Sequence, residues 1–167
     1  MGFRIVIMGV AGCGKSTVGT AIAAAEHLPL VEGDDFHSPE NRARMAAGIA
    51  LTDADRAQWL VLLGEQLAAH PRGVVLTCSA LKRAYREQLR AAAPGLRFVF
   101  LDIPRDEALK RVARRGAHFF SASLVDSQFA TLESPVGEPG VLRVDALEPP
   151  DLLQRRTSAW LRQDDPA

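Results

Sequence analysis

The segment Gly9-Val-Ala-Gly-Cys-Gly-Lys-Ser16, set between a short apolar run and a helical pattern, constrains this chain more than anything else in it. Its fixed positions Gly9, Gly14, Lys15 and Ser16 match the Walker A pattern, and they fall after a buried strand and at the opening of a helix. Phe3 to Met8 reads as that strand, being aliphatic, partly β-branched and closed by Gly9. Glycines let the backbone curl until successive N–H groups face inward as an anion nest, assisted by the helix dipole. Gly9, Val10, Ala11, Gly12, Cys13, Gly14, Lys15, Ser16 and Thr17 are therefore expected to hold the phosphates of ATP. Lys15 would reach the outer phosphates and the Ser16 hydroxyl would bind Mg2+. A glycine-rich turn carrying Lys-Ser by chance would not explain four fixed positions in that context.

Short apolar runs then alternate with helical patterns along the chain. Lys15 to Glu26 reads as a helix, Leu28 to Val31 as a strand, and Ser38-Pro39 as a helix start running to about Ala47. Thr52, with Asp55 three residues on, resembles a capping box, and the helix it opens ends at His70-Pro71. Gly73 to Cys78 and Leu96 to Asp102 read as strands, with a helix from Ala80 to Ala92 between them. Helices follow over Pro104 to Arg115 and Ser121 to Glu133, then a strand over Val141 to Asp145 and a helix over Pro149 to Arg162. Five strands joined by helical crossovers imply an α/β fold of three layers, a five-stranded parallel sheet with helices on both faces. Residues 1–167 read as a single domain, and in such sheets the working residues collect at the carboxyl ends of the strands.

Composition narrows the function classes. Lys and Arg number 20 and so do Asp and Glu, so no basic surplus favours nucleic acid as a partner. No apolar run approaches the ~20 residues that cross a bilayer, and the first residues do not form a signal peptide. A cytoplasmic protein without a membrane partner is expected. The two cysteines, Cys13 and Cys78, are too few for a zinc site or a disulfide framework. Cys13 is either a thiol activated by the helix N-terminus or, more simply, a small residue that fits a tight loop. An Asn-Lys-x-Asp segment for reading guanine is missing, so the chain suits a small-molecule kinase better than a switch GTPase.

Three further segments carry chemistry: Glu32-Gly33-Asp34-Asp35-Phe36-His37, Cys78-Ser79-Ala80-Leu81-Lys82-Arg83-Ala84-Tyr85-Arg86, and Arg111 to Phe120 leading into Ser127-Gln128-Phe129 and Leu132-Glu133. With Asn41, Met45, Gly48, Leu51, Asp53-x-Asp55-Arg56 and Trp59, these motifs resemble the gluconate kinase family, related to shikimate and nucleoside-monophosphate kinases. The resemblance covers most of the chain. It implies transfer of the ATP γ-phosphoryl group to the 6-hydroxyl of D-gluconate, a P-loop kinase fold with a mobile lid over about 114–134, and a homodimer.

In that role Asp34, at the end of the second strand, is expected to orient the acceptor hydroxyl and take its proton, while Asp35 reads as a turn residue. Glu32 stands where many members of the family carry Asp, and would hold water on Mg2+. Gluconate, a carboxylate with five hydroxyls, calls for a cation among hydrogen-bonding groups. Lys82, Arg86 and His37 come first, with Arg42, Ser79 and Tyr85 behind them; His37 could equally be a capping residue. Arg114 and Arg115 are expected to close over ATP as lid arginines, whereas Arg111 is assigned to its helix end. Phe120-Ser121 departs from the Met-Pro common in the family. Trp59, Trp160, Phe98 and Phe100 read as core residues. The alternatives are a shikimate kinase-like enzyme acting on another small hydroxy acid, disfavoured by Thr77-Cys78-Ser79-Ala80 where that family has a glycine run, and a nucleotide sensor that transfers nothing.

Overall fold

A computed structural model describes residues 2–114 and 122–163. Strand β1 (Arg4–Met8) leads into helix α1 (Lys15–Glu26), followed by β2 (Leu30–Glu32), a 3-10 turn (Gly33–Phe36), α2 (Pro39–Ala46) and α3 (Asp53–Ala69). Next come β3 (Val74–Thr77), α4 (Arg83–Ala92), β4 (Arg97–Asp102), α5 (Arg105–Arg114), α6 (Ala122–Thr131), β5 (Val141–Asp145) and α7 (Pro150–Gln163). The strands lie in the order β2-β3-β1-β4-β5, with every pairing parallel.

Side-chain alternation along the strands builds the layers, since successive residues point to opposite faces of a sheet. Ile5, Ile7, Val75, Val99 and Leu101 pack on one face with Val18 and Ile22 of α1, Ala108 and Val112 of α5, and Leu153 and Leu161 of α7. Their sequence neighbours Val6, Met8, Val74, Leu76, Phe98 and Phe100 pack on the other, with Trp59, Leu60, Leu63 and Leu67 of α3 and Tyr85 and Leu89 of α4. Both faces are covered, as the near-continuous apolar strands require.

Local chemistry fixes most helix starts. Ser38 Oγ accepts from the Asn41 N–H at 3.1 Å, with Pro39 at the first position of α2. Thr52 Oγ1 accepts from the Asp55 N–H while Asp55 returns a bond to the Thr52 N–H, closing the capping box expected for α3. Helix α4 departs from expectation: it opens at Arg83 rather than Ala80, because Ala80 takes a left-handed φ of 47° and Leu81 and Lys82 stay outside the helix. The 3-10 turn after β2 was also not foreseen. It rests on Gly33, where an added Cβ would lie 2.1 Å from the Thr77 carbonyl oxygen, so only glycine lets this turn approach β3.

Candidate active site

The carboxyl ends of β1, β2 and β3 open into a cleft of about 500 Å³. Ala11, Gly12, Gly14, Lys15 and Ser16 form one wall; Asp34, Asp35, His37 and Arg42 form another, with Arg56, Trp59, Ser79 and Gln128 completing it. This is the sheet-end position at which open parallel sheets place their ligands.

The phosphate loop is curled as its glycines predict. Gly9, Gly12 and Gly14 have φ of 146°, 83° and 97°, and Gly14 directly precedes the first residue of α1. Lys15 Nζ reaches back to the carbonyl oxygens of Gly9 at 2.9 Å and Val10 at 3.2 Å, which holds the ammonium over the loop. Ser16 and Thr17 are exposed on the first turn of α1. Cys13 is buried within the loop, in the manner of a small space-filling residue. Burial also pushes the Cys78 thiol up to about 12, which keeps it protonated.

Ser16 Oγ donates to Glu32 Oε2 at 3.1 Å, and the same oxygen accepts from Thr77 Oγ1 at 2.5 Å. A hydroxyl and an anchored carboxylate side by side are hard oxygen donors of the type Mg2+ takes. Among the described residues no three His, Cys, Asp or Glu side chains gather as a cage, so such an ion would depend mainly on phosphate and water oxygens.

Across the cleft, Asp34 presents a largely exposed carboxylate from the 3-10 turn. Two groups brace that turn. Arg42 donates to the carbonyl oxygens of Asp34 at 3.0 Å and His37 at 3.4 Å, and Trp59 Nε1 donates to the Gly33 carbonyl at 2.8 Å. Trp59 is thus a core residue, as expected, but also part of the cleft wall. His37 stacks on it with ring centroids 4.2 Å apart and planes 15° apart. Burial pulls the His37 pKa down to about 4 against the opposing pull of Asp34, with Arg42 and Arg56 adding to the fall. The imidazole is therefore neutral near pH 7 and offers hydrogen bonds, one of the two kinds of contact sought for gluconate.

Two expected cations sit elsewhere. Arg86 is wholly buried, donating to Glu138 at 2.9 and 2.7 Å, to the Ala80 carbonyl at 2.7 Å and to the Glu133 carbonyl at 2.9 Å. With all three guanidinium nitrogens engaged inside the protein and none of the residue exposed, its assignment to gluconate is corrected to a structural one. Lys82 also lies outside the cleft lining, paired with Asp53 at 2.9 Å. Both follow from the late start of α4, which places Lys82 before the helix and turns Arg86 toward the 133–138 segment. Arg114 is exposed at the end of α5, and Arg115 falls outside the described residues.

Besides Lys15 and Arg42, a third positive group enters the cleft: Arg56, to which the sequence assigned no role. Its Nη1 donates to the Tyr85 hydroxyl at 3.2 Å; that hydroxyl donates in turn to Asp53, which binds Lys82. The Tyr85 and Lys82 bonds hold the Asp53 carboxyl below its ordinary range. A signal existed: Arg56 occupies the buried stripe of α3, one turn before Trp59 and Leu60, where an apolar residue would be the ordinary choice. Arg111 was likewise underrated. It donates to the carbonyl oxygens of Gly12, Cys13 and Ala146, tying the phosphate loop to the segment after β5.

Comparison with known proteins places the fold and the family. A family model described as an AAA domain matches residues 5–135. A gluconokinase of Gluconobacter oxydans is 48% identical over 153 residues, covering 89% of this chain and 85% of that protein. The crystal structure of a gluconokinase from Sinorhizobium meliloti 1021 superposes with a TM-score of 0.89 at 47% identity, covering 96% of this chain and 92% of that one. Shikimate kinase from Aquifex aeolicus superposes with a TM-score of 0.59 at 16% identity, which is a likeness of fold alone.

Proposed function

The chain belongs to the gluconokinase family, and from that premise we propose that it transfers the γ-phosphoryl group of ATP to the 6-hydroxyl of D-gluconate, giving 6-phospho-D-gluconate and ADP. The observation that carries this reading is one cleft in which Lys15 and Ser16 face Asp34, with Arg56 on the same acceptor wall.

Phosphoryl transfer asks for two oxygens in line and for neutralised charge. The loop from Gly9 to Thr17 cradles the phosphates and grips them through the main-chain amides not already bonded within the protein, as those of Gly9, Ala11 and Cys13 are, and Lys15 leaves the Gly9 and Val10 carbonyls to meet the outer phosphates. Ser16 directly, and Glu32 through water, would hold Mg2+, which when bound offsets charge on the β and γ oxygens. Asp34 orients the acceptor hydroxyl and takes its proton. Arg56 receives the gluconate carboxylate, while neutral His37, Arg42 and Ser79 meet hydroxyls. Arg114 and Arg115 belong to a lid over about 114–134 in which α6 is already docked on the core and the arginines close on ATP to exclude water. The chain acts as one domain over 1–167 and, as in the resemblance above, as a cytoplasmic homodimer. No described helix is long and apolar enough to cross a membrane.

A coupled assay of ADP release over a panel of sugar acids tests the reading. Turnover should be greatest with D-gluconate. Turnover of shikimate or another hydroxy acid in its place would overturn the substrate, and ATP binding without turnover of any acceptor would favour the sensor.

A further inference from the structure

Helix α6 sends one polar side chain into the phosphate loop. The Ala11 N–H donates to Gln128 Oε1 at 2.7 Å, across 117 residues of sequence. Only the carbonyl end of a carboxamide can accept from a backbone N–H, so the bond fixes which end of Gln128 is which. Its Nε2, carrying two donor hydrogens, cannot then lie more than about 5 Å from the Ala11 amide. Among the described residues that Nε2 has no hydrogen-bond partner, although Gln128 lines the same cleft as Lys15, Ser16 and Asp34.

The side chain stands on a firm platform. Val125 and Phe129, on either side of it in α6, pack into the core beneath the sheet, and Leu124, one turn earlier, packs on Met45 and Leu51 of the acceptor side. A donor fixed in this way meets the requirement for electrostatic stabilisation, because it need not reorganise as charge moves.

We propose that Gln128 is a catalytic residue that sets the Ala11 amide with Oε1 and donates from Nε2 to an oxygen of the phosphoryl group in transfer. This inference rests on the kinase reading above. It assigns the Walker loop's neighbour a part in the transition state, beyond the known roles of lysine and hydroxyl in that loop.

The test compares Gln128→Met, which keeps the length without hydrogen bonds, and Gln128→Glu, which keeps an acceptor for Ala11 and removes the donor. Wild-type turnover of gluconate is measured first. If the wild type used another sugar acid, the gluconate reading would fail there, and the same variants assayed with that acceptor would still decide the role of Gln128. Gln128→Met should lose about 100-fold in kcat with ADP affinity within about twofold of wild type, and Gln128→Glu, whose negative charge beside the phosphates also weakens ADP binding, should lose at least as much in kcat. Binding of the magnesium ADP, aluminium fluoride and gluconate complex should weaken by the same factor as kcat. Parallel loss of ADP affinity in Gln128→Met would show a strut for the loop and overturn the proposal. So would near-normal kcat in Gln128→Glu, because the acceptor alone would then suffice.

Discussion

Arg86 and Glu138 meet through two parallel hydrogen bonds of 2.9 and 2.7 Å, with their side chains 0% and 7% exposed. Arg90 adds a second contact to the same carboxylate at 3.0 Å. The pair ties α4 to the segment before β5, and it lies away from the cleft. Removing Arg86 leaves the buried Glu138 carboxylate to Arg90 alone and takes the donor from the Ala80 and Glu133 carbonyls, at a cost of about 3 kcal/mol. Arg86→Met should therefore lower stability by that amount in urea unfolding, while the KM for gluconate stays within about twofold at temperatures where the variant is folded. A large rise in KM with unchanged stability would return Arg86 to the substrate.

Asp34 should separate chemistry from binding. It lines the cleft beside Asp35, His37 and Arg42, across from Lys15 and Ser16. General-base contributions run to roughly 10²–10⁴-fold. Asp34→Asn should depress kcat within that range and leave ADP affinity unchanged in calorimetry. Near-normal turnover would remove Asp34 from the base role.

The two apolar faces, the phosphate loop and the capping box were legible because each is written in adjacent residues. Lys15–Glu26 and Val141–Asp145 fall where the periodicity places them. What escaped was decided at long range. Arg86 looked like a substrate cation until Glu138, 52 residues on, was brought against it. Arg56 stood in a motif of the resemblance without a role, although its place in the stripe with Trp59, Leu60 and Leu63 was a local clue. The Ala80 turn, three residues before α4, has no glycine or proline to announce it. Gln128 stood within a motif used for resemblance, but its bond to Ala11 depends on how α6 docks.

His37 makes stability depend on pH in a definite direction. Its folded pKa is about 4, below the ordinary value of 6.5, so between these values the unfolded chain binds a proton that the folded chain refuses. The groups facing it are Asp34, which favours the charged ring, and Arg42 and Arg56, which oppose it, with Trp59 stacked on its face and Asn41 at its Nδ1. Stability from this residue is complete above about pH 6.5 and is lost progressively as pH falls toward 4. In thermal melts across that window, His37→Gln should show a shallower fall in Tm than wild type. Equal slopes would mean that His37 is protonated in the folded protein.

Arg56 offers a test of the carboxylate site that can be graded. The guanidinium is held at the cleft by Tyr85, and Tyr85 by Asp53, so the chain of bonds positions the positive charge before substrate arrives. A charge-assisted hydrogen bond contributes about 1.5–3 kcal/mol, or roughly 10- to 150-fold in binding. Arg56→Gln should raise the KM for gluconate by that factor with little change in the KM for ATP. Tyr85→Phe keeps the ring and removes only the hydroxyl that orients Arg56, so its effect should fall on the same constant and be several-fold. D-Glucitol, the open-chain polyol with a hydroxymethyl group in place of the carboxylate, provides the control for binding: as a competitor against gluconate it should distinguish wild type from Arg56→Gln far less than gluconate does. Equal losses for both compounds would mean that Arg56 holds the wall of the cleft and not the charge of the substrate.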